Sequence, residues 1–221
     1  MLQANPTGGG TGISIYGDYA DLDSLYETVH HIAGSLDEGN AYQKDQHMLL
    51  MNFAYEIRHA YQGTRLVKEM RFDDDYKHHY YGFQLIWPDL LIFTNVLRNN
   101  AAYIQTNKLN QANLYLLEYV VENALHAYDS TGAAEIQRLI GRGIDVGTEL
   151  AFIIYQTVHI EFVSGRAGKP RFRKIPQLLQ NYFSSWSPEH KQMLHRLSVS
   201  AKANNCEMHE LQLTHFPDIK W

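Results

Sequence analysis

The sequence predicts an α+β fold, a mainly helical single domain with a small antiparallel sheet in its N-terminal half. Strand-like β-branched and aromatic runs occur only before Pro88, at Ile13–Tyr16, Arg65–Phe72 and Tyr80–Trp87. Beyond Pro88, apolar residues recur mostly at helical spacing. With 221 residues, 45% hydrophobic and 19% charged, the chain buries a core without needing a metal or disulfide.

Each element has a local reason. Thr7–Gly12 is glycine-rich and reads as a flexible lead into the strand Ile13–Tyr16. A helix follows from near Asp21 to Ala33, with Asp18 or Asp21 as N-cap and Gly34 as its stop. Its apolar face is Leu22, Leu25, Val29 and Ile32. A longer helix runs from Tyr42 to Tyr61, closed by Gly63. The limbs Arg65–Phe72 and Tyr80–Trp87, around the acidic turn Asp73–Asp75, form a hairpin, and Ile13–Tyr16 makes the sheet three-stranded.

Pro88 suits the first turn of a helix reaching Tyr103, apolar on most faces and therefore central. Helices are predicted over Asn110–Tyr128, Thr131–Ile140 and Thr148–Val163. Gly165, Gly168 and Pro170 make the next segment a loop, and short helices cover Pro176–Phe183, Pro188–Ala203 and Cys206–Leu211.

The segments Ile13–Asp23 (ISIYGDYADLD), Tyr80–Phe83 (YYGF), Trp87–Pro88, Thr106–Lys108 and Leu117–Tyr119 resemble an uncharacterised bacterial family of the domain-of-unknown-function kind, over residues 10 to 130. The resemblance implies a bacterial, intracellular origin and carries no activity or site. The single Cys206 fits a reducing compartment, the N-terminus has no signal-peptide pattern, and Leu150–Val163 is too short and polar to span a bilayer. The expected localisation is cytoplasmic, with no membrane contact.

The charge is uneven. Residues 1–130 carry 16 acidic and 8 basic residues, whereas residues 131–221 carry 11 basic and 8 acidic, in a chain of net charge −5. Ten residues, Gly165–Lys174, hold five cations and no acid: Arg166, Lys169, Arg171, Arg173 and Lys174, with Phe172 between two arginines. Arginine grips phosphate bidentately and an aromatic stacks a base, so these six residues are the candidate anion or nucleic-acid site, with Arg138 and Arg142 as possible extensions. The plainer reading pairs the cations with the acidic half of the same fold.

Twelve histidines raise the question of a metal. Glu27/His30 and Glu56/His59 share the Glu-x-x-His spacing of carboxylate-bridged sites, for which Glu118 or Glu122 and Glu149 or Glu161 would complete the set. Cys206-x-x-His209 with His190 and His195 has the residue types for zinc. The plainer readings are helix-surface pairs and a buried thiol. No cofactor is predicted; zinc or another divalent metal is what these ligands would take. Arg71 and His78 have the Arg-x6-His spacing of HEPN-type ribonucleases, but across a predicted acidic turn.

The leading expectation is a binding or regulatory protein acting through protein or nucleic-acid contacts. The alternatives are a phosphodiester-processing or metal-assisted hydrolase and a homo-oligomeric structural protein. A protein partner or a second copy is the expected partner, with nucleic acid the other.

Overall fold

The computed structural model of the protein describes residues 1–73, 76–211 and 213–221, without the side chains of 70–73, 76 and 77. It is α+β and mainly helical, with its sheet in the N-terminal half. The strands are β1 (Gln3–Pro6), β2 (Gly12–Gly17), β3 (Leu66–Asp73) and β4 (Tyr76–Ile86), all antiparallel, in the order β1-β2-β4-β3. The sheet thus has four described strands rather than three. Residues 3–6 lack strand-like composition and are held in the sheet by pairing, with Gln3 opposite Tyr16 and Pro6 opposite Ile13.

The glycine run is not a loose tether. It is the turn of the β1–β2 hairpin, closed by the Thr7 N–H to the Gly12 carbonyl (2.9 Å) and by the Gly12 N–H to Thr7 Oγ1 (3.0 Å). The indole N–H of Trp87 donates to the Gly10 carbonyl (3.2 Å). Gly10 has φ +65°, and a Cβ there would lie 1.9 Å from the Tyr128 hydroxyl. Only glycine fits that backbone and that space.

Helix α1 (Tyr19–Ala33) starts at a reciprocal cap in which Asp18 accepts from the Asp21 N–H and Asp21 accepts from the Asp18 N–H. It pairs with α2 (Ala41–Tyr61). Phe53 of α2 meets the Phe83 ring of β4 edge-on (6.0 Å) and stacks on Phe93 (5.2 Å), which lies in α3 (Trp87–Ala101). One buried apolar cluster extends from Leu2 and the sheet through α3 to Met193 and Leu197.

Helix α4 (Lys108–Ile136) merges the two predicted helices Asn110–Tyr128 and Thr131–Ile140. The break between them survives as a kink at Asp129 (φ −157°, ψ 94°). Helix α5 (Ala151–Ser164) packs on α2, α3 and α7 (Ile175–Phe183), and α8 (Pro188–Asn204) packs on α7. The basic segment also departs from its predicted loop: Lys169–Arg173 is the short helix α6, packed on α4. Phe172 supplies the burial that overrides the glycines and proline around it. Cys206–Leu211 shrinks to one 3-10 turn at Met208–Glu210. Among the described residues, no helix is long and apolar enough to cross a membrane.

Candidate anion-binding site

Helix α6 sorts its side chains into three directions. Phe172 points inward and is 0% exposed, its ring edge-on to Trp87 (5.5 Å) and Tyr128 (4.9 Å). It is therefore a core residue and presents no face on which a base could stack. Gly132 of α4 makes room for it, since a Cβ there would meet the Phe172 ring at 2.9 Å.

Lys169 and Arg173, four apart and so on one side of the helix, turn to Asp129 at the α4 kink. Arg173 Nε donates to Oδ2 at 2.6 Å and Nη2 to Oδ1 at 3.0 Å; Lys169 Nζ lies 3.7 Å from Oδ1. The Asp129 side chain is 4% exposed, and the Arg173 hydrogen bonds hold its carboxyl below the usual carboxylate range. Arg173 is therefore paired within the fold, and Lys169 lies beside the same carboxylate.

The other three converge. Arg166, Arg171 and Lys174 line a groove of about 530 Å³ between α5 and α7, together with Gln177, Asn181 and one acid, Glu161. Arg171 is a fixed element of its wall. Its Nη1 donates to the carbonyls of Phe162 and Gly165 (3.0 Å each) and its Nη2 to Thr11 Oγ1 (2.8 Å), with the guanidinium 4.3 Å from the Phe162 ring centroid. Burial lowers its pKa from the ordinary arginine value, which still leaves it cationic at neutral pH. Its Nε–H is buried and has no partner among the described residues. Thr11 in turn donates to the Lys220 carbonyl (2.5 Å), so the C-terminal segment lies against this wall. Arg166 and Lys174 are exposed and have no ion-pair partner among the described residues. Arg142 lies in a separate groove with Glu118 and Glu122, and Arg138 lines both that groove and one beside Trp186.

The residues considered for metals are spread over the surface and core. Glu56 is held by Arg65 through two hydrogen bonds (2.8 and 3.0 Å), and His59 Nδ1 lies 2.9 Å from Thr64 Oγ1. Glu27 and His30 are exposed on α1. Glu118 forms a bidentate pair with Arg98 (2.5 and 2.8 Å). His190 is buried with Nδ1 2.6 Å from the Tyr182 carbonyl, whereas His195 and His209 are exposed and Cys206 is half-buried. Among the described residues, no three His, Cys, Asp or Glu side chains are placed to share one ion. The Arg71 side chain and the turn at Asp74 and Asp75 lie outside the described residues.

One polar centre was missed by sequence reading. Asp89, 4% exposed in the first turn of α3, takes His159 Nδ1 at 2.8 Å and the Tyr155 hydroxyl at 3.3 Å, both on Oδ2. Its Oδ1 is buried without a partner among the described residues. Burial pushes the Asp89 carboxyl up, against the pull of His159. Burial alone would lower His159, but the hydrogen bond and charge of Asp89 outweigh it and raise the imidazole. Phe216 of the C-terminal segment closes over the His159 ring (5.6 Å, 79°). Tyr155 and His159 lie four apart on one face of α5, but nothing in the sequence ties that face to Asp89, 66 and 70 positions away.

The chain belongs to the family described as Domain of unknown function (DUF6904), whose model matches residues 2–221. The match reaches past residue 130 and takes in the basic segment and the groove. No curated protein and no solved structure matches the chain.

Proposed function

We propose that this member of the DUF6904 family is a binding protein whose α5–α7 groove takes a phosphate-bearing ligand. The observation that carries the reading is the sorting of the cations. Lys169 and Arg173 turn to Asp129, while Arg166, Arg171 and Lys174 line one groove beside a single acid. Two exposed cations beside the fixed charge of Arg171 suit a ligand that carries its charge on several oxygens. Gln177 and Asn181 add neutral donors. Contacts of this kind fit a regulatory or binding role through a macromolecule better than a deeply buried small-ligand site, since the groove is open and its cations are at the surface.

The test is titration with inorganic polyphosphate at two salt concentrations. Binding is expected to weaken steeply with salt, and Arg166→Glu with Lys174→Glu is expected to reduce affinity at least about tenfold, a loss of about 1.4 kcal/mol. Binding unchanged in the double variant would overturn the reading.

A further inference from the structure

The basic groove does not end at Asn181. Gln177 and Asn181 also line a second groove, which continues across α7 to Trp186. Trp186 is 86% exposed, the most exposed large apolar side chain among the described residues. Its presentation is organised. It sits in the Ser184–Ser187 turn, where the Ser184 N–H donates to the Gln180 carbonyl (3.0 Å) and the Ser187 N–H to the Ser184 carbonyl (3.0 Å). The Ser187 hydroxyl donates to the Asn181 carbonyl and accepts from the His190 N–H (3.0 Å). An indole held out by a hydrogen-bonded turn offers a flat face at small cost in conformational freedom.

The two ends differ in charge. The α6 end carries Arg166, Arg171 and Lys174 beside Glu161, whereas the groove near Trp186 is lined by Glu135, Glu189 and one cation, Arg173, which Asp129 holds. Phosphates are favoured at the first end, and the second, of mixed charge, offers the Trp186 ring to a planar group. The nine residues of α7 separate the ends by roughly 14 Å at 1.5 Å per residue. Cations at one end and an exposed aromatic ring at the other are the two parts of a single-strand binding surface. Resting on the groove reading above, we infer that the ligand class is single-stranded nucleic acid and that Trp186, not Phe172, is the surface on which a base stacks.

The experiment compares an oligothymidylate of about eight nucleotides, within the usual site size, with an abasic strand of equal length. The wild-type protein is expected to bind the oligothymidylate more tightly, with quenching of tryptophan emission that the abasic strand does not produce. Trp186→Ala is expected to weaken oligothymidylate binding at least about fivefold, the lower range for one base–aromatic stack, and to leave abasic binding unchanged. Trp186→Phe is expected to retain most of the affinity. The exposed position makes misfolding simple to exclude by an unchanged circular-dichroism melt. Unchanged oligothymidylate binding in Trp186→Ala, with loss in Arg166→Glu/Lys174→Glu, overturns the stacking inference and leaves the groove reading standing. Absence of binding to both strands and to polyphosphate overturns both.

Discussion

Asp129 and Arg173 lock α6 onto the kink of α4 through two parallel hydrogen bonds of 2.6 and 3.0 Å. The same pair ties up the guanidinium of an arginine that lines the groove near Trp186. Asp129→Asn is therefore expected to have two opposite effects. Thermal stability falls, although the half-exposed Arg173 regains water and limits the loss. Polyphosphate affinity rises, and the log–log salt slope steepens by up to about two as Arg173 and Lys169 become available. Melting curves and salt titrations of the variant check the two arms.

The pair also has a pH signature. Because the folded-state carboxyl of Asp129 is depressed, its contribution is present above the ordinary carboxylate range, near about 3.9, and is lost as pH falls through the lower folded value. Acid denaturation of Asp129→Asn is expected to lack that component, which is read from stability differences between wild type and variant at neutral and acid pH.

The Asp89–His159 pair works in the other direction. Both groups are raised in the folded protein. Stability from the charged pair is full below the unfolded histidine pKa of about 6.5 and is lost as pH rises through the folded value. The raised value of Asp89 acts separately, from the ordinary carboxylate range upward to its folded value, where stability falls as pH rises. The wild-type melting temperature is thus expected to fall between pH 6 and pH 8.5, a window about the ordinary histidine pKa. His159→Gln is expected to flatten that slope; an equal slope in the variant would remove His159 as its source.

Phe172 is the apolar anchor of α6. Phe172→Ala is expected to cost about 3–5 kcal/mol by urea denaturation, the range for emptying a buried aromatic site. A cost below about 0.5 kcal/mol, the level of an exposed position, would contradict its place between Trp87 and Tyr128.

Much of the fold was legible because its signals are local. Asp18, Gly34, Pro88 and Pro188 mark helix ends through capping and backbone restriction. What was not legible depends on contacts far apart in sequence. Residues Gln3–Pro6 become a strand only by pairing with β2. Gly165, Gly168 and Pro170 signal a loop, and the buried Phe172 with the Asp129 pair converts part of it to helix. The five cations were legible as a cluster, but their division between Asp129 and the groove was not. It follows from where α4 bends, and the spacing along the chain gives no sign that residue 129 lies against residue 173. Trp186 was passed over because a lone aromatic in a turn has no pattern around it.

The most direct test compares two lysines five positions apart. Limited acetylation, read by mass spectrometry with and without polyphosphate, reports the exposure of Lys169 and Lys174 separately. If the α5–α7 groove is the binding site, polyphosphate protects Lys174 while Lys169, turned toward Asp129, reacts at the same rate in both samples. Equal protection of both lysines, or protection of neither, would contradict it.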